Sequence, residues 1–149
     1  MQKTKINIGI IGIGEIGTAV SQLYDNEQYT VLLKDLEVDD KLEDYDLEFL
    51  HICIPYTDSF EYIVSEYIKS YSPTNVIIHS TVKVGTTASL IAKTNHLNIF
   101  HSPVRGVHPN LLEGLKTFSK YLGVEEVTDC ALNTLTHIGA LGLDVCMVS

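Results

Sequence analysis

The sequence predicts an α/β fold, one domain built on a doubly wound, mostly parallel β-sheet, and three observations carry that reading. Short β-type runs alternate with helical patterns along the chain, the order that yields strand–helix–strand units. The first run, Ile6 to Ile11 (INIGII), is apolar almost throughout, as a strand covered on both faces must be. The length of 149 residues suits a single hydrophobic core, and 45% apolar with 19% charged residues is a globular composition.

Each element has its own signal. Glu15 to Tyr24 reads as a helix, with Ile16, Ala19, Val20 and Leu23 at three- and four-residue steps. Thr30 to Lys34 is a second strand, and Phe49 to Ile54 a third that Pro55 ends. Asp58 and Glu61 stand at capping-box spacing before a helical stripe of Phe60, Ile63, Val64, Tyr67, Ile68 and Tyr71. Asn75 to His79 is a fourth strand after the Ser72-Pro73 turn, Thr86 to Lys93 a short helix, and Leu97 to Phe100 a fifth strand. His101 to Pro109 is a loop broken by Pro103, Gly106 and Pro109. Thr117 to Leu122 reads as a sixth strand. Asp129 to Leu141 reads as a helix with Ala131, Leu132, Leu135 and Ile138 inward, and Gly142 suits its C-terminal end. Leu143 to Val148 closes the series as a last strand.

Charge and cysteine usage exclude several functions. Lys and Arg total 10 against 19 Asp and Glu, a formal charge of -9 that repels phosphate backbones and argues against nucleic acid as a partner. No apolar run reaches the roughly 18 residues that span a membrane, and no secretory signal opens the chain. Cys53, Cys130 and Cys146 lack C-x-x-C spacing and read as reduced thiols of a cytoplasmic protein, Cys146 as a core thiol. The acidic stretch from Asp35 to Glu48, with Lys41 its only base, reads as a solvated connection with one short helical turn. It has no metal-ligand spacing, and no metal is expected.

The segment Gly12-Ile13-Gly14-Glu15-Ile16-Gly17 matches G-x-G-x-x-G between a buried-type strand and an amphipathic helix, and Asp35 follows 18 residues beyond Gly17. In that setting Gly12 permits the tight turn, Gly14 lets backbone approach a pyrophosphate, and Gly17 lets helix and strand pack closely. Amides of the helix start, those of Glu15 and Ile16 included, face the phosphates. Asp35 accepts from the ribose hydroxyls and repels a 2′-phosphate, so NAD is expected over NADP. Lys34 points to the other face of its strand and does not change that preference. The plain alternative is a glycine-rich turn that binds nothing, with FAD or a lone nucleotide as further options.

Two later segments add a resemblance. His51-Ile52-Cys53-Ile54-Pro55-Tyr56-Thr57 and Ser80-Thr81-Val82-Lys83-Val84-Gly85-Thr86-Thr87 resemble the I-C-V-P-T-P and S-T-V-x-x-G-T-T segments of the UDP-glucose/GDP-mannose dehydrogenases, within the 6-phosphogluconate and 3-hydroxyacid dehydrogenase superfamily. The likeness implies a Rossmann fold in which Ile54, Pro55, Ser80 and Thr81 line an NAD site, with Thr81 nearest the chemistry. An ordinary capping or turn role is the alternative for Ser80 and Thr81. The likeness breaks after the fifth strand, where Val104 stands in place of that family's glutamate. There Pro103-Val104-Arg105-Gly106 is closer to the P-V-S-G-G of 3-hydroxyacid dehydrogenases, with Arg105 in place of serine.

A loop Arg beside a cofactor suits a carboxylate or phosphate, so Arg105 is expected to hold an anionic small-molecule substrate while Thr81 orders the reacting hydroxyl or a water. Such enzymes take their catalytic lysine or cysteine from a second domain, which these residues do not contain. The expectation is therefore the NAD-binding domain of an oxidoreductase acting on an alcohol of a nucleotide sugar or a small hydroxy acid, completed by a homo-oligomer or a partner domain. A non-catalytic dinucleotide-binding module, as sensor or scaffold, is the alternative. His101 and His108 read as loop histidines, and His51 and His79 as satisfied packing residues.

Overall fold

A computed structural model of the chain describes residues 4–104, 111–117 and 119–149. Arg105 and His108, both singled out in the sequence, lie outside the described residues.

The elements run β1 (Ile6–Ile11), α1 (Glu15–Ser21), β2 (Tyr29–Lys34), β3 (Phe49–Ile52), α2 (Phe60–Tyr71), β4 (Asn75–Ile78), α3 (Thr86–Thr94), β5 (Ile99–His101), α4 (Leu111–Thr117), β6 (Lys120–Gly123), α5 (Asp129–Ala140) and β7 (Val145–Val148). They form one seven-stranded sheet in the order β2-β1-β3-β4-β5-β6-β7. The first five strands are parallel, β6 runs antiparallel to β5, and β7 is parallel to β6. The α/β, doubly wound, mostly parallel sheet predicted from alternation is the architecture observed.

The two faces of the sheet are covered by different helices and differ in chemistry. Ile11, Leu50, Ile52, Val76, Ile78 and Ile99 pack under α2 and α3, which themselves bury Ser65 and Thr86. Ile8, Ile10, Phe49, Ile77, Phe100 and Leu122 point to the other face, under α1, α4 and α5. Buried polar side chains, His51, His79, Ser102, Lys120 and His137 among them, share that second face with the apolar ones.

Several local expectations are corrected. Ser59, not Asp58, is the N-cap of α2, and no side chain caps it. Glu61 instead pairs with Lys93 of α3 at 3.1 Å. Helix α4 occupies Leu111–Thr117, a stretch given no element from the sequence except for Thr117, which was expected to open the sixth strand, and β6 starts only at Lys120. On α5, Leu132 is 47% exposed while Thr134 and His137 turn inward beside Ala131 and Ile138. Thr134 covers its hydroxyl by donating to the Cys130 carbonyl, so a polar residue fits the buried stripe that apolar counting assigned to leucine. Cys146 is exposed on β7 rather than a core thiol, because it points to the same face as its partner Tyr121 on β6, which is exposed as well. The acidic connection does form one short turn, a 3-10 helix at Leu42–Asp44, and docks through Leu42 and Leu47, both buried.

Candidate functional site

From β1 the chain turns to β2 on one side and later to β3 on the other, so strand order reverses at β1. An open sheet places its ligand crevice at that reversal, outside the carboxyl ends of the strands. A cleft of about 510 Å³ lies there, bordered by Gly12 after β1, Asp35 after β2, Ile54 and Pro55 after β3, and Ile63 and Tyr67 of α2. That volume falls within the range of small-molecule sites.

Packing alone accounts for two of the three loop glycines. Gly12 has φ +94, and a Cβ there would stand 2.7 Å from the Cys53 carbonyl oxygen. A Cβ on Gly17 would stand 1.7 Å from the Gly12 carbonyl oxygen, so α1 could not approach the strand. Gly14 is different. Its φ is -80, which any residue adopts, and a Cβ would meet nothing within 4 Å. The fold does not require glycine at 14; open space beside the loop is what the glycine preserves. That space continues into a hollow of about 480 Å³ bordered by Gly14, Glu15, Thr18, Ala19 and Leu111. Thr18 is the first amide to close α1, onto the Gly14 carbonyl at 3.0 Å, so the Ile16 and Gly17 amides have no partner in the helix ladder.

Asp35 is fixed by the loop it faces. Its carboxylate accepts from the Ile13 amide and, at 2.7 Å, from the Leu36 amide. Those two bonds, Ile13 first, hold its pKa below the ordinary carboxylate value. Each oxygen carries two lone pairs, so the group keeps acceptor capacity toward a ligand hydroxyl. Lys34 borders the same cleft as Asp35 rather than facing away from it as strand alternation led one to expect, and its ammonium pairs there with Asp39 at 3.4 Å.

Ser80 and Thr81 follow β4 but behave differently. Ser80 is 3% exposed and donates its hydroxyl to the Ile54 carbonyl, bracing the ends of β3 and β4. Its own carbonyl accepts from His101 Nε2 at 2.9 Å. Thr81 is exposed at the sheet edge, and it is not a helix cap, since Gly85 is the N-cap of α3. Gly12, Gly14, Asp35, Ile54, Pro55 and Thr81 are thus brought to one edge across four neighbouring strands. Among the described residues no group of three metal-ligating side chains occurs, and no helix is long and apolar enough to cross a membrane.

Sequence reasoning missed Lys120. It is 3% exposed at the start of β6, and its ammonium donates to the Ser102 carbonyl at 2.6 Å and the Pro103 carbonyl at 3.4 Å. Burial lowers its pKa from 10.5 to about 7. A lysine in a short run read as strand carries no signal of burial; only the antiparallel pairing of β6 with β5 turns it under the β5 exit. His51 and His79 are buried as expected, but only His51 is satisfied at both ring nitrogens. It bonds Tyr24 through Nε2 at 2.6 Å and His79 Nε2 through Nδ1 at 2.7 Å, whereas His79 Nδ1 has no partner. Burial, reinforced by neighbouring cations, lowers both histidines well below the ordinary value, so both are neutral.

No family model and no curated protein matches the sequence. Solved structures do match in fold. Prephenate dehydrogenase from A. aeolicus, solved with hydroxyphenyl propionate and NAD+, superposes with a TM-score of 0.71 at 15% identity, over 100% of this chain and 62% of that one. UDP-D-ManNAc dehydrogenase from Pyrococcus horikoshii gives 0.71 at 18% identity, over 97% of this chain and 47% of that one. Mycobacterium tuberculosis 3-hydroxyisobutyrate dehydrogenase, solved with L-serine, gives 0.72 at 13% identity, over 97% and 54%. The chain spans less than two thirds of the length of each of these structures. Its fold is the one that these three dehydrogenases share over that part of their chains.

Proposed function

We propose that these residues form the NAD-binding domain of a dehydrogenase. The observation that carries the reading is the pairing of Gly14 with Asp35. The first is a glycine that the fold does not need, beside open space; the second is a carboxylate clamped to the same loop with acceptor capacity to spare. A pyrophosphate approaches the backbone at Gly14, and Asp35 accepts from the adenosine ribose hydroxyls. The adenine lies in the cleft between Leu36, Pro55 and Tyr67. Asp35 is ionised at neutral pH and repels a 2′-phosphate, which selects NAD over NADP.

Bound there, the nicotinamide supplies hydride transfer with an alcohol of a nucleotide sugar or small hydroxy acid. Thr81, exposed beside the β3 and β4 ends, orders the reacting hydroxyl or a water. Arg105 holds the substrate's anionic group on the strength of its sequence position after β5. The catalytic base comes from a partner domain or subunit.

Calorimetric titration of both cofactors tests the reading. NAD is expected to bind and NADP to bind at least about tenfold more weakly, a difference of about 1.4 kcal/mol. Asp35→Ala is expected to lose NAD affinity and narrow the gap. Equal affinities in the unaltered protein would refute the assignment.

A further inference from the structure

On the α1–α5 face of the sheet, three imidazoles and a phenol lie buried in one unbroken hydrogen-bonded line. His137 Nε2 meets Tyr24 Oη at 2.7 Å, Tyr24 Oη meets His51 Nε2 at 2.6 Å, and His51 Nδ1 meets His79 Nε2 at 2.7 Å. Elements distant in sequence contribute: Tyr24 follows α1, His51 is on β3, His79 follows β4 and His137 is on α5. Apolar residues could fill this space, as they do on the opposite face. Burying a polar atom without a partner destabilises a fold, and two remain unpaired at one end of the line.

Those two atoms are His79 Nδ1 and Ser102 Oγ. Strands β4 and β5 pair Ile78 with His101, so His79 and Ser102 are the next residues across the same pair. They stand immediately before Ser80–Thr81 and Pro103, at the sheet edge that carries the cleft. The other end is His137, which is 8% exposed on α5.

Every member of the line can both donate and accept when neutral. Two proton arrangements therefore satisfy all three bonds. In one, His137 donates to Tyr24, Tyr24 to His51, and His51 to His79, whose Nδ1 then carries a proton. In the other every bond is reversed, and His79 Nδ1 presents a bare lone pair. The second passes to the first by taking a proton at His79 Nδ1, shifting one proton along each link, and releasing one at His137 Nδ1. Protons balance at every step, and no charge stays in the core.

We propose that His137, Tyr24, His51 and His79 form a proton relay between solvent at α5 and the carboxyl ends of β4 and β5. Its use rests on the dehydrogenase reading: oxidation of an alcohol sends a hydride to NAD+ and frees one proton, and the line carries that proton outward. The groups around it keep it neutral, which a relay of this kind requires. Lys120 on β6 disfavours charge on His51 and His79, as His137 does on His51 and His101 of β5 does on His79, while the Ser102 backbone works the other way on His79. Cys53 after β3 and Tyr29 on β2 hold the Tyr24 phenol protonated, secondary to its burial.

The relay can be tested without cofactor or substrate, by following exchange of the histidine ring N–H protons into deuterated water on 15N-histidine-labelled protein. The ring protons of His51 and His79 are expected to exchange faster than the backbone amides of β3 and β4 around them. Tyr24→Phe keeps the ring but removes the hydroxyl, and is expected to slow both ring protons by about tenfold or more. A line that serves packing alone predicts the opposite sign. Its ring protons would exchange only when the core opens, and the destabilising Tyr24→Phe would speed them together with the amides. That outcome, or unchanged rates, overturns the proposal.

His137→Phe removes the outer terminus while keeping a ring over Phe49, on which His137 stacks at 3.8 Å, and is expected to give the same slowing. It decides the question if Tyr24→Phe does not fold. Calorimetry separates the two readings: absent NAD binding refutes the dehydrogenase assignment and leaves the exchange result standing. Normal NAD binding with unslowed exchange refutes the relay alone.

Discussion

Replacing Lys120 with methionine is expected to flatten the stability of the protein between neutral and mildly alkaline pH. The buried amine has its pKa lowered from 10.5 to about 7. Between those values the unfolded chain keeps a proton that the folded chain has given up, so stability rises with pH, by about 1.4 kcal/mol per unit for one group. Cys53 closes the window from above. Burial pushes its thiol from 9.0 to about 12, so beyond pH 9 the folded chain holds a proton that the unfolded one loses; this cancels the Lys120 slope up to pH 10.5, and stability falls above that. From pH 7 to 9 the Lys120 contribution integrates to about 2–3 kcal/mol. Lys120→Met loses the bonds to the Ser102 and Pro103 carbonyls, a cost of about 1–2 kcal/mol that does not vary with pH. Urea unfolding of both proteins at pH 7, 8 and 9, with the slope m confirmed constant, measures the difference. A wild-type midpoint that does not move over this range would refute the argument, as would a methionine variant that keeps the wild-type slope.

The loop glycines and the buried histidines give two further outcomes. Gly14→Val is expected to leave the circular dichroism spectrum and unfolding midpoint near wild type while abolishing NAD binding, whereas Gly17→Ala, whose Cβ would overlap the Gly12 carbonyl, is expected not to fold; a Gly14→Val protein that binds NAD normally would make the loop only a turn. Burial lowers His137 from 6.5 to about 4, so the unfolded chain binds the extra proton in that interval and stability falls as pH drops through it, by about 3 kcal/mol for this residue alone. A urea midpoint that does not move between pH 6.5 and 4 would refute this.

What the sequence made legible follows from which forces act locally. The strands and helices of the first hundred residues are visible because a two-sided parallel sheet needs continuous apolar runs, and α2 and α3 each cover it with one stripe. Gly12, Gly14, Gly17 and Asp35 are legible because their spacing reflects one strand–turn–helix unit. The misses lie where long-range pairing decides. Nothing near Lys120 announces that β6 will run against β5 and carry an ammonium under its exit. His51 and His79 look like isolated strand histidines until β3 and β4 are set in register, Phe49 opposite Asn75. Tyr24 and His137, 113 residues apart, share a hydrogen bond that no local pattern contains. Thr134 and His137 displaced Leu132 from the expected stripe because each had a polar partner waiting in the interior.

The two faces of the sheet divide the physical work. Under α2 and α3 the sheet's buried side chains are apolar, and Phe60, Leu50, Ile52, Ile78 and Leu90 are all fully buried. Each such side chain contributes about 1.5–3 kcal/mol, and the titratable groups packed on this face, Tyr67 and Tyr71, stand only partly buried at its margin. Under α1 and α5 the chain accepts the desolvation of a lysine, a thiol, a phenol and three imidazoles. Their perturbations push in opposite directions along the pH axis: the histidines weaken the fold below neutrality, Lys120 strengthens it above, and Cys53 and Tyr24 weaken it again when strongly alkaline. A face built for stability alone would carry none of these. Perturbed groups that reach from α5 through Tyr24 and His51 to the carboxyl end of β4 are what proton chemistry at that edge requires. The other face makes that arrangement affordable for His51 and His79, because β3 and β4 are anchored there by Leu50, Ile52, Val76 and Ile78.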